Sequence, residues 1–230
     1  FGGVMTEGLF LLTTAAALWH IRCHCWWRAG MWGVLAAMTR MHGLLLIGAA
    51  GAELVESLGK FDGRAILRRL PAVLLPATGS LVYLGLNAAV AGAPFAFTVM
   101  QEHWSQGLCW ISDTLWYVLQ NALSYYDEAI RVQIWIPTLL LFAAFFPLLW
   151  YARKRFRSMY TLYAFAYLVL NYSLSWLLSA GRYLSCALPF FLFAAGLTEK
   201  RPRLTALLAG GMGVGFLANL WCYLLGGQIM

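Results

Sequence analysis

Four stretches of this chain, residues 71–91, 132–152, 158–178 and 204–225, contain no Asp, Glu, Lys or Arg. Each is 21 or 22 residues long, and a helix needs roughly 20 to cross a hydrocarbon core of about 30 Å. In lipid only a helix or a closed barrel satisfies its own backbone groups, and barrel strands alternate polar and apolar side chains, which these runs do not. The pattern predicts transmembrane helices. Composition agrees, with 62% apolar and 11% charged residues, against about 45–50% and about 25% in soluble domains. The chain does not read as a soluble globular domain.

The net charge of +7 invites a nucleic-acid reading, but its distribution argues for topology. Of 16 Lys and Arg residues, 13 fall in four short clusters: Arg22 and Arg28; Lys60, Arg64, Arg68 and Arg69; Arg153, Lys154, Arg155 and Arg157; Lys200, Arg201 and Arg203. Short basic loops beside spans mark the cytoplasmic side, so no nucleic-acid partner is expected. The three outside these clusters, Arg40, Arg131 and Arg182, fall on or beneath the opposite, external face. Five scattered cysteines form no disulfide framework. His20-Ile21-Arg22-Cys23-His24-Cys25 crowds four soft ligands together without the usual Cys-x2-Cys spacing or a second cluster, and no metal is assigned to it.

Along the chain, a first span runs over residues 4–21 with Glu7 in its first turn. A basic loop with Trp26 and Trp27 as an interfacial belt follows. Two short apolar pieces, 29–39 and 43–55, are separated by Arg40-Met41-His42. Eleven residues cover only about 17 Å, which recesses Arg40 beneath the external surface, where an ionisable group is a functional candidate by default. Residues 57–70 form a basic interfacial connector to the span 71–91. The segment 92–131 carries acids and aromatics suited to external interfacial helices. Spans 132–152, 158–178, 184–198 (with Pro189 in its middle) and 204–225 complete about eight membrane segments. The expected fold is an all-α multi-pass transmembrane bundle, one domain over 1–230, with no internal repeat.

Several phrases in this order are familiar. Met5-Thr6-Glu7-Gly8-Leu9-Phe10 is similar to a Ser-Glu-Ser-Leu-Phe motif. Trp26-Trp27-Arg28-Ala29-Gly30 with Thr39-Arg40-Met41-His42-Gly43-Leu44 resembles "WW-x-AG…TR-x-x-G-L". Gly92-Ala93-Pro94-Phe95-Ala96-Phe97 with Gln101-Glu102-His103-Trp104 resembles "G-x-P-x-A-F…Q-x-x-W". Ser179-Ala180-Gly181-Arg182-Tyr183-Leu184, with Pro189 beyond, resembles "S-x-x-R-Y-L…P". Together they resemble the phosphatidylinositol-glycan class V type mannosyltransferases and their bacterial relatives, which are GT-C membrane glycosyltransferases. Gly8 departs from the second Ser of the first motif, and Met41-His42 from a more usual Pro-Asn. The family pattern also has an N-terminal part with an acidic catalytic residue. This chain opens on Phe1 without it, so it is expected to be the C-terminal part of a longer protein.

The resemblance implies transfer of a mannosyl unit from a polyprenyl-phosphate mannose donor to a lipid-linked or protein-linked acceptor at the external face, in the bacterial plasma membrane in preference to the endoplasmic reticulum. Such chemistry needs a carboxylate for the acceptor hydroxyl and cations for the donor phosphate. No cofactor is assigned, and the use of a divalent metal stays open. Arg40 and Arg182 suit the phosphate, because guanidinium groups bind it bidentately and stay charged at depth; anchoring or a structural ion pair is the plainer role. Glu7 is the catalytic candidate, with an arginine partner or a helix N-terminal acid as the alternatives. Gln101 and Trp104, three apart, are substrate-binding candidates, as is Tyr183 beside Arg182; interfacial anchoring is the plainer use of Trp104. Asp113, Asp127 and Glu128 read as loop surface. A transporter or flippase, or a non-catalytic membrane subunit, are the rival functions.

Overall fold

The computed structural model describes residues 6–58, 62–103, 107–175, 177 and 180–224. Among these the structure is all-helical, and the only β feature is an isolated antiparallel bridge between Leu108 and Leu174. Helix α1 spans Glu7–Arg22 and buries Phe10, Thr13, Thr14, Ala17, Leu18 and Ile21, the i, i+3, i+4, i+7 spacing of a single helix face. Its opposite face is equally apolar, with Leu9, Leu12 and Trp19 exposed. An outward apolar face suits lipid and not water.

The chain reverses through a tight loop in which His24 takes a positive φ of 55°. Helix α2, Trp26–Thr39, then returns antiparallel to α1. It ends where Arg40 turns extended, and a 3-10 turn, Met41–Leu44, feeds α3, Leu45–Leu58. The break at Arg40 is the one expected from the sequence. The buried face of α2 is made of Ala29, Gly30, Gly33, Ala36 and Ala37, which lets neighbouring backbones approach closely.

Helix α4, Gly63–Leu74, leads into α5, Pro76–Ala91. The expected basic interfacial connector is helical from Gly63 on. Asp62 accepts hydrogen bonds from the backbone N–H groups of Arg64 and Ala65 at 3.0 and 3.2 Å, a cap that starts the helix well before Pro71. Pro71 sits inside α4 and not at a helix start. After Gly92 (φ 76°) come α6, Ala96–His103, and α7, Ile111–Ser124. The segment 92–131 is thus helical over Ala96–His103 and Ile111–Ser124. Asp127 caps a short α8, Glu128–Ile130, which passes through a π-helical turn, Arg131–Trp135, into α9, Ile136–Ala152.

Helix α10, Ser158–Asn171, stops seven residues before the expected end of its span. A short α11, Ala180–Leu184, precedes α12, Leu188–Thr198, and α13, Pro202–Leu224. Pro189 lies in the first turn of α12, not mid-span as expected, since a residue without an N–H is tolerated where that donor has no intrahelical partner.

Among the described residues, three helical stretches are long and apolar enough to cross a membrane: Met41–Leu58, Gly63–Ala91 and Glu128–Ala152. The core joins α1, α3, α10 and α12 through Phe10, Leu18, Leu46, Leu54, Tyr163, Tyr167, Phe190 and Phe193. A smaller cluster of Val118, Ala122, Ile134 and Trp135 docks α7 on the π turn, with Tyr117 edge-on to Trp135 at 5.3 Å. The Thr114 hydroxyl donates to the carbonyl of Leu174 at 2.9 Å, tying α7 to the end of α10.

Candidate functional site

Helix α1 carries an acid in its first turn and an arginine in its last. Sixteen residues at 1.5 Å rise set these ends about 24 Å apart. Each end builds a polar cluster.

At the first end, Glu7 meets two cations. Its Oε1 accepts from Nη2 of Arg40 and lies 3.0 Å from Nε of Arg182. Arg40 also donates from Nε to the Thr6 hydroxyl at 3.2 Å. The ring of Tyr183 lies 5.3 Å from both guanidinium carbons, within reach of a cation–π contact. Each residue owes its place to local structure. Glu7 opens α1, Arg40 sits in the extended break between α2 and the 3-10 turn, and Arg182 and Tyr183 lie on α11. The Tyr167 hydroxyl fixes α11 by donating to the carbonyl of Tyr183 at 3.0 Å.

Four of the six candidates thus converge from three separate segments. Helix α6, which carries Gln101, packs on α5. Trp104 lies outside the described residues. The pairing fits the arginine-partner role for Glu7, yet only one carboxylate oxygen is engaged. Oε2 is buried and has no hydrogen-bond partner among the described residues, a position of high cost that a donor from a bound molecule would relieve.

At this end sequence reasoning passed over His42. Its ring packs 5.0 Å from that of Tyr167, and its Nε2 is likewise buried without a partner among the described residues. The available signal was an imidazole two residues from Arg40, interrupting an apolar run.

At the other end, the carboxylate of Glu53 is fully buried and gathers three basic groups. Arg157 donates to it from Nη2 at 2.8 Å and from Nε at 3.0 Å. His24 Nε2 stands at 3.1 Å and Arg22 Nη1 at 3.5 Å. Its bonds to Glu53 push the Arg157 guanidinium above its ordinary range. Glu56 adds a contact to Arg157 at 3.2 Å and accepts from the backbone N–H of Ser158 at 2.9 Å. This hub clamps the α1–α2 loop, α3 and the start of α10. A completely buried carboxylate with fork-like arginine bonds is a structural fastening whose loss strands a charge.

Comparisons with protein-family models, with curated proteins and with solved structures find no match for this chain.

Proposed function

We propose that this chain belongs to a GT-C-type membrane mannosyltransferase that uses a polyprenyl-phosphate mannose donor and a lipid-linked or protein-linked acceptor. The observation that carries the proposal is the Glu7–Arg40–Arg182–Tyr183 cluster. Two guanidinium groups face one carboxylate, so the cluster has one positive charge in excess for the donor phosphate. Glu7 Oε1 orients both cations, while Oε2 is the oxygen left for a donor proton such as that of an acceptor hydroxyl. Preorganised cations and a placed carboxylate are what glycosyl transfer to a hydroxyl requires.

In this reading all eight apolar segments are membrane segments, the Glu7 end faces the exterior or lumen, and the Glu53 end, with the basic clusters, faces the cytoplasm by the positive-inside rule. The bacterial plasma membrane is preferred to the endoplasmic reticulum. Helices α1, α2, α10 and α12 have 16, 14, 14 and 11 residues. At about 1.5 Å per residue they fall short of a full hydrocarbon core, which recesses the Glu7 cluster below the surface. A recessed polar cluster suits a donor whose phosphate sits at the membrane surface and whose polyprenyl chain lies in lipid.

The test is transfer of radiolabelled mannose from polyprenyl-phosphate mannose in membranes containing the full-length protein. Transfer that collapses in Arg182→Ala supports the reading. No transfer to any acceptor lipid by a folded, inserted protein refutes it and favours a transporter or an accessory subunit.

A further inference from the structure

A second charged region has no role in the proposed reaction. The α1–α2 loop, the first turn of α2 and helix α4 border an open cavity of about 450 Å³. Three guanidinium groups line it, from Arg28, Arg68 and Arg69, together with Trp26 and Trp27. Among the described residues none of the three arginines makes an ion pair. His24 also lines the cavity, but its Nε2 already sits on Glu53, which Arg22 and Arg157 share. Three like charges around one concavity repel one another, and an anion bound between them would reverse the sign of that term.

The other basic cluster is arranged differently. Arg153 lies 3.4 Å from the ring centroid of Trp150, and Arg155 4.8 Å from that of Tyr151. Those cations are stacked on aromatic faces of their own helix. Around the cavity, among the described residues, only Arg69 has such a neighbour, Trp26, at 5.9 Å. Arg28 and Arg68 are exposed, with their donors open to a ligand.

The aromatic lining says what kind of anion fits. Trp26 and Trp27 line the cavity with the arginines, and Trp27 is exposed. Indole rings of this kind settle at the level of lipid headgroups, so the three guanidinium groups stand where the phosphates of a bilayer lie. On the opposite face of α4, Leu67, Leu70 and Leu74 recur at helical spacing and are exposed, an apolar ridge suited to the acyl region.

We infer that this cavity is a binding site for the phosphate headgroup of an anionic phospholipid, seated on Arg28, Arg68 and Arg69 beside Trp27. Guanidinium forks bind phosphate oxygens in pairs, and basic pockets between membrane helices take such headgroups. The inference rests on the chain's lying in a bilayer and is independent of any transferase activity.

The test is native mass spectrometry of the full-length protein released from nonionic detergent. It is titrated with phosphatidylglycerol, with phosphatidylcholine of the same acyl chains, and with inorganic phosphate. Phosphatidylglycerol is expected to bind at least about tenfold more tightly than phosphatidylcholine, and Arg68→Ala/Arg69→Ala to remove about tenfold of that affinity. Arg153→Ala/Arg155→Ala, with the same charge change, is expected to leave it intact. Arg68→Lys/Arg69→Lys is expected to fall between, because charge is kept and the fork is lost. Equal loss in the two alanine pairs, at matched unfolding midpoints, overturns the site in favour of general surface attraction. Competition by inorganic phosphate as strong as that of the lipid assigns the cavity to a soluble anion instead and also overturns it.

Discussion

The guanidinium Nε of Arg182 lies 3.0 Å from the carboxylate of Glu7, joining the first turn of α1 to a five-residue helix near the other end of the chain. Arg40 takes the same carboxylate oxygen, so two cations share one anion and neither is fully neutralised. If the donor phosphate completes this cluster, removing one guanidinium should act first on donor binding. A charge-assisted hydrogen bond contributes about 1.5–3 kcal/mol, so Arg182→Ala is expected to weaken the donor by roughly tenfold or more. Arg182→Lys should recover only part of that. Steady-state transfer assays with varied donor check this through KM against kcat; an unchanged donor KM would remove Arg182 from the donor site.

Glu7 makes a different prediction, because it is the shared partner. Glu7→Gln keeps the shape and leaves two partly buried guanidinium groups facing each other. Stability should fall by about 1–3 kcal/mol as charged hydrogen bonds are lost. Glu7→Gln/Arg40→Gln should be less damaged than the sum of the two single changes, because the second removes the charge that the first stranded. Thermal unfolding midpoints of the four proteins in detergent form the cycle. Additive effects would show that the pair is not coupled.

The Glu53 hub separates fastening from function. Glu53→Ala strands Arg22 and Arg157 beside a cavity and should destabilise by about 3–5 kcal/mol. The protein that remains folded should keep its donor affinity, since the hub stands about 24 Å away at the far end of α1. Unfolding midpoints combined with donor titration at low temperature distinguish this from a direct role in the site.

The break at Arg40 was legible because two apolar pieces too short to span flank a charged residue. The convergence of Glu7, Arg40, Arg182 and Tyr183 was approached through motif resemblance, which marks each residue and says nothing of their contacts. Helix limits were less legible. The charge-free runs register what lipid tolerates, whereas Asp62 and Asp127 start their helices by capping, earlier than the apolar runs begin. Glu53 was opaque: it reads as a lone acid closing an apolar run, and its partner Arg157 is 104 residues away. Only packing of α3 on α10 brings the two together.

Topology gives the next prediction. Cys23 is exposed beside the Glu53 hub, while Tyr126 is 88% exposed in the aromatic segment at the other end of the reading. In intact cells, with Cys109 changed to Ser, a membrane-impermeant maleimide should label Tyr126→Cys and spare Cys23 until the membrane is opened. Labelling of both from outside would contradict the placement of the two ends on opposite faces.

The crossing of α2 over α4 and α5 rests on three glycines with no room for a side chain. A Cβ at Gly30 would lie 2.5 Å from the carbonyl oxygen of Ala72, and one at Gly33 2.5 Å from Cγ of Pro76. One at Gly79 would collide with the carbonyl oxygen of Val34. Backbone atoms cannot rotate aside as a flexible side chain does, so relief requires the helices to separate. Gly79→Ala is expected to destabilise by about 1–3 kcal/mol through overpacking. Gly85 is the matched control, six residues further along the same helix α5 and with nothing within 4 Å of its added Cβ. There the alanine should stabilise by up to about 1 kcal/mol through helix propensity alone. Opposite signs at Gly79 and Gly85, read as unfolding midpoints in the same detergent, would establish the close crossing; equal gains at both would mean that α2 and α5 do not approach each other this closely.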